Sequence, residues 1–120
     1  MSKHYKLLEL RVGSVGDALD RFEAAWNRQA EGRKSAPLYV LSMENLPLLL
    51  KTLTAARWVL LGALRKEEAA SIYELAKRLE RDYKNVHTDV SRLAELGLVE
   101  KRADGGIAVA FDVVNARFEL

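Results

Sequence analysis

"RDYKNVHTDVSRLAELGLVEKRADGG", residues 81–106, decides how this chain folds. At about 100° per residue, Tyr83, Val86, Val90 and Leu93 gather on one side of a helix, and Asp82 stands where an N-cap is needed. The opposite side carries Lys84, Thr88 and Ser91, flanked by Asn85, His87 and Arg92. Gly97 is placed to stop the helix. "LVEKR", "ADGG" and "IAVAF" then spell strand, tight turn and strand, with Ile107, Val109 and Phe111 alternating.

Upstream, "EEAASIYELAKRLE" predicts a two-turn helix with Ser71 as N-cap and Glu74 three residues on, the spacing of a capping box. Ile72, Leu75, Ala76 and Leu79 share its apolar face. Before it, Thr54 is placed to cap a helix over 55–66 with Val59, Leu60, Ala63 and Leu64 inward. A short helix near 45–52, with Pro47 close to its start, comes earlier still. Helix, short capped helix, longer helix and hairpin is the order of a winged helix-turn-helix.

In such a unit the second helix of the pair enters the DNA major groove, so its outer face must offer hydrogen-bonding side chains and no bulky apolar ones. Lys84, Asn85, Thr88, Ser91 and Arg92 meet that requirement as base readers. Asn pairs with adenine edges, Lys and Arg with guanine or phosphate, and the hydroxyls with either. Ser71, Tyr73 and Lys77 on the preceding helix, Tyr83 and His87 beside the readers, and Lys101 and Arg102 on the hairpin are the candidate phosphate contacts.

The remaining third is different. "HYKLLELRV" alternates Leu8, Leu10 and Val12 with Glu9 and Arg11, the pattern of a half-buried strand. "GSVGDALDRFEAAWNRQAEG" follows with Ser14 and Asp17 at capping-box spacing, Leu19, Phe22, Trp26 and Ala30 at helical spacing, and Gly32 as the stop. "RKSA" is a linker, and "PLYVLS" predicts a second strand. At the far end "VVNARFEL" alternates Val114, Ala116, Phe118 and Leu120 with polar residues, and is expected to pair with the N-terminal strands in the same chain or across a dimer. The expected fold class is α+β: a β-α-β element over 1–42, a winged helix-turn-helix over 43–112, and a C-terminal strand over 113–120.

"SIYELAKRLERDYKNVHTDVSRLAELGLVE", residues 71–100, resembles the core of a group of small archaeal and bacterial winged-helix regulators related to the MarR-like fold. Several are encoded beside a small toxin and taken to be its antitoxin, the TumA-type partner of TumE-type toxins. The resemblance runs from about Thr54 to Phe111 and centres on "RDYKNVHTDV". It implies DNA binding by the helix holding Lys84, Asn85, Thr88 and Ser91, and transcriptional repression, with a cognate toxin as a further partner. No motif in residues 1–42 matches.

Charge qualifies this reading. Between Thr54 and Asp112 ten basic residues face ten acidic ones, although the whole chain carries +2. Because non-specific affinity comes mainly from neutralised phosphates, a monomer should bind DNA weakly and a homodimer is expected. Asp104 at the hairpin turn also makes the wing tip poor in positive charge. Against this, acids are absent from the centre of the polar face, with Asp89 and Glu95 off-centre. The alternative is a winged-helix module that binds a protein and leaves that face to solvent.

Other classes are weaker. With no Cys and only His4 and His87, no metal site, cofactor or thiol chemistry is expected. "VGSVGD" at 12–17 lacks the third glycine of a dinucleotide fingerprint and the Gly-Lys-Ser/Thr of a P-loop, so a plain turn and N-cap is the better reading. His87 has no orienting acid and nucleophile around it, and a non-enzyme is expected. Trp26 and Trp58 read as core or dimer interface. "MSKHYK" leads into no apolar signal region, and the longest apolar run, "WVLLGAL" at 58–64, is far too short for a bilayer; a cytoplasmic protein is expected.

Overall fold

The computed structural model describes residues 6–13 and 38–118. The predicted helix after Ser14, with Trp26, and the rest of the 12–17 turn lie outside the described residues, as does His4. The chain is α+β and divides into two units, one drawn from 1–52 and 111–120, the other from 53–110.

In the first unit, β1 (Leu7–Val12) lies between β2 (Leu38–Met43) and β5 (Val113–Arg117), and both neighbours run parallel to it. Leu8 stands opposite Tyr39 on one side and Val114 on the other. The terminal strand therefore pairs within its own chain. Lys6 and Asp112 start that pairing reciprocally: the Lys6 amide donates to Asp112 Oδ2 at 3.1 Å and the Asp112 amide donates to the Lys6 carbonyl at 2.8 Å.

Two expectations for this sheet are corrected. Glu9 and Arg11 do not face solvent: at 5% and 7% exposure they are as buried as Leu8 and Leu10 on the other face. A central parallel strand is covered on both faces, and the two charges survive there by pairing at 2.9 Å, with Asn115 Nδ2 donating to Glu9 Oε2. On β5, by contrast, all five residues are exposed, as is Phe118, so the period-two pattern does not sort them into inside and outside. β5 is an edge strand.

Helix α1 (Leu46–Thr52) belongs to this first unit, so residues 43–52 do not go with the chain that follows, where the expected boundary at 42 had put them. It follows β2 after two residues and packs against it, and Leu49 of the helix and Met43 of the strand are both buried. Asn45 Oδ1 accepts from the Leu48 amide at 2.8 Å, and Pro47 sits in the first turn, where no intrahelical donor is required.

The second unit contains α2 (Ala55–Lys66), α3 (Ile72–Leu79) and α4 (Tyr83–Glu95), then the antiparallel hairpin of β3 (Val99–Lys101) and β4 (Ile107–Val109). Thr54, Ser71 and Asp82 each cap the following helix by accepting a hydrogen bond from the amide three residues on. Such caps are worth about 1 kcal/mol each. Glu74 completes its box one residue early, taking the Ala70 amide at 2.9 Å. Between α3 and α4 the chain turns through Glu80, a left-handed residue at φ 55°, while the Arg81 amide returns to the Ala76 carbonyl. Gly97, at φ 82°, ends α4.

The core of this unit is Leu60, Leu61 and Leu64 from α2, Leu75 and Ala76 from α3, and Val86, Val90 and Leu93 from α4, with Leu98, Val99, Ile107 and Ala108 from the hairpin. Val59 is corrected: it is 64% exposed, because the buried stripe of α2 runs through Leu60, Leu61 and Leu64. Tyr83 also leaves its predicted apolar cluster, being 49% exposed at the start of α4. Ala69 forms an extra bridge to Ile107, each amide donating to the other's carbonyl, which ties the α2–α3 loop to the hairpin. At the hairpin tip Gly105 takes φ 94° and Asp104 Oδ1 accepts the Gly106 amide at 2.8 Å, so Asp104 is a turn-former.

Candidate functional site

The outer face of α4 is the most coherent polar surface in the second unit. Val86, Val90 and Leu93, at 0% exposure, mark the buried side of the helix, and Lys84 and Thr88 project from the opposite side. Ser91 lies one turn beyond and is half-buried. Asn85 and Arg92, seven residues apart, form one flank; Tyr83 and His87 form the other, their ring centroids 5.9 Å apart and tilted by 42°. The Thr88 hydroxyl donates to the Lys84 carbonyl at 3.1 Å, which leaves its lone pairs for an incoming donor.

Both acids of this helix stand elsewhere than expected. Asp89 is not on the face at all: it is 8% exposed on the core side, its Oδ1 taking the Arg57 Nε–H at 2.9 Å and its Oδ2 the Arg81 Nη2–H at 2.8 Å. Glu95 is exposed, and at four residues from Ser91 and seven from Thr88 it continues the polar face at its C-terminal end. Its carboxylate takes Arg92 Nη1 at 3.1 Å. The first three turns of the face are thus free of acid, and the last is not.

The remaining candidates sort by chemistry. Ser71 is half-buried, its Oγ already accepting the Glu74 amide at 3.0 Å. Tyr73 is 63% exposed, with Lys77 Nζ 5.6 Å from its ring centroid, a cation held over a π face. Lys101 is exposed on β3. Arg102 is exposed but engaged, both terminal nitrogens going to the Glu68 carboxylate. That pairing holds the Glu68 carboxyl below its usual range and raises the Arg102 guanidinium, hydrogen bonding first and charge attraction second among the favourable causes.

Across this unit arginine and lysine divide the work. Arg57, Arg78, Arg81, Arg92 and Arg102 all pair with acids of the chain, and Arg78 also donates to the Glu67 and Glu68 carbonyls. Lys66, Lys77, Lys84 and Lys101 make no ion pair among the described residues. A guanidinium's planar fork suits fixed internal pairing, and an ammonium suits a mobile anion. Only Glu68, Glu74, Asp89 and Glu95 serve those arginines, so the lysines outside these pairs are matched by acids outside them as well, and the total stays neutral. Pairing of this kind depends on the fold, and only the i,i+3 and i,i+4 partners Arg92–Glu95 and Glu74–Arg78 were legible beforehand.

Two shallow grooves adjoin along α2 and α3, of about 450 and 460 Å³. One is lined by Tyr73, Glu74 and Lys77, the other by Val59, Gly62, Ala63 and Lys66, with Glu67 and Arg78 common to both. Among the described residues no group of His, Cys, Asp and Glu could hold a metal, and no single helix is long and apolar enough to cross a membrane.

An α+β chain with a capped helix pair, a hairpin and one solvated polar helix face is the class these features define. The chain belongs to the HVO_A0114 family, whose model matches residues 52–116, more than half its length. Neither the curated proteins nor the solved structures contain a match.

Proposed function

We propose that residues 53–110 form a winged helix-turn-helix and that the chain is a sequence-specific DNA-binding transcriptional regulator acting as a repressor. α4 enters the major groove, where Lys84, Asn85, Thr88 and Ser91 read base edges, while Tyr73, Lys77, His87 and Lys101 meet phosphates. Two protomers engage a two-fold related operator, which doubles a charge contribution that is small in one. Where a toxin gene lies beside it, the protein is an autoregulating antitoxin.

The observation that carries this reading is the outer face of α4 made by Lys84, Asn85, His87, Thr88 and Ser91, which carries no acid, since Asp89 is turned to the core side, and which lies opposite a fully buried stripe. Arg92 and Arg102 join only after exchanging Glu95 and Glu68 for phosphate or base; solvent screening keeps exposed pairs of this kind weak, so they do not forbid the exchange. The test is the paired substitution Lys84→Ala and Ser91→Ala. Loss of binding to the native upstream duplex in a folded variant supports the reading; unchanged binding refutes it.

A second reading rests on the groove past exposed Val59 and Gly62 and half-buried Ala63. There the same unit would bind a protein partner and leave α4 to solvent. Binding of a partner that survives the Lys84 and Ser91 substitutions, with no DNA binding by the unaltered chain, would favour it.

A further inference from the structure

The α4 face has to be presented at one rotation about the helix axis, and the contacts that bury the helix do not all enforce it. Val86, Val90 and Leu93 press on the core through non-directional apolar contact, which tolerates a modest roll of the helix. A roll of about 20° moves side chains some 5–6 Å from the axis by roughly 2 Å, more than a bidentate base contact survives. Something directional must hold the roll.

We infer that Asp89 is a positioning residue for the reader face: by clamping Arg57 of α2 and Arg81 of the α3–α4 turn with one carboxylate, it sets the rotation of α4 and hence sequence discrimination. This rests on the DNA-binding reading above. The clamp has the required form. Its two oxygens take separate guanidinium donors at 2.9 and 2.8 Å, so displacement in either direction lengthens one bond. The Asp89 and Arg57 side chains are 12% and 16% exposed, which shields the pair from solvent competition. Arg81 is itself fixed at both ends, its amide on the Ala76 carbonyl and its Nη2 on Asp89, while its Nη1 is buried without a hydrogen-bond partner. Apolar residues of similar volume often supply as much stability as a buried ion pair, so what this pair adds is direction.

Asp89→Asn removes the charge and keeps the shape; Arg57→Met removes one arm and leaves the Asp89–Arg81 bond, and serves if the first variant does not fold. Each is compared with the unaltered chain by fluorescence anisotropy on the duplex from immediately upstream of the gene and on a scrambled duplex, over a salt series. NOE contacts of the Val86 and Val90 methyl groups are recorded without DNA. The expected result is shifted methyl contacts, scrambled-duplex affinity and salt slope kept within about two-fold, and a preference for the native duplex reduced roughly ten-fold or more, the scale of one lost base contact. A purely structural role would lower both affinities together, and that result overturns the inference. So do unchanged methyl contacts or an unchanged preference in a folded variant. If the unaltered chain itself shows no preference, the DNA-binding reading fails and this inference with it.

Discussion

Arg102 on the hairpin and Glu68 in the α2–α3 loop are joined by two parallel hydrogen bonds between a guanidinium fork and a carboxylate. Both side chains are about half exposed, so the tie is accessible to a competing anion. Glu68→Gln should free Arg102 and tighten DNA binding, about two- to five-fold from the worth of an exposed pair, and steepen the dependence of log affinity on log salt by about 0.9 per protomer. Arg102→Ala should abolish that gain. Affinity that is unchanged or weaker in Glu68→Gln would mean that Arg102 does not meet phosphate.

The same tie has a pH dependence of definite sign. Because the folded carboxyl of Glu68 lies below its unfolded value, the contribution is present above the unfolded value and is lost as pH falls through the folded one. A Glu68→Gln chain should therefore lose less stability on acidification than the unaltered chain, read as the difference between their melting temperatures at neutral and strongly acidic pH. Equal losses would assign the acid sensitivity elsewhere.

Glu80 adopts φ 55° between α3 and α4, where glycine avoids the Cβ clash. Glu80→Gly should stabilise the chain by about 0.5–1 kcal/mol, seen as a melting temperature higher by a few degrees. A lower melting temperature would show that the carboxylate contributes more than the backbone strain costs.

On β5, Val113 and Val114 are 39% and 37% exposed on a sheet edge with no lysine or proline to guard it. If two copies pair through this edge, Val114→Lys should shift sedimentation equilibrium toward monomer while circular dichroism stays unchanged. A dimer that persists would place self-association elsewhere.

The local signals were the readable ones. Thr54, Ser71, Asp82 and Gly97 each mark a helix boundary through hydrogen bonds to near neighbours or a backbone angle, and all four stand where the spacing put them. What misled were residues whose environment is made by distant chain. Glu9 and Arg11 look like a solvated face until β5 brings Asn115 across 106 residues, and Asp89 looks like a stray surface acid until Arg57 arrives from 32 residues away. Val59 was misplaced by a single step in the α2 stripe, since "WVLLGAL" is apolar almost throughout and its period does not choose a face. The polar face of α4 was legible because its apolar counterpart, Val86, Val90 and Leu93, has one unambiguous helical spacing.

The measurement that tests the central claim most directly is fluorescence-anisotropy binding of the full chain to DNA from immediately upstream of its gene, against a scrambled duplex, across a salt series. The account predicts tighter binding to the native duplex, with log affinity falling linearly in log salt by a slope that implies several phosphates. Absence of binding to either duplex at low salt would contradict it and leave the α4 face without a nucleic-acid role.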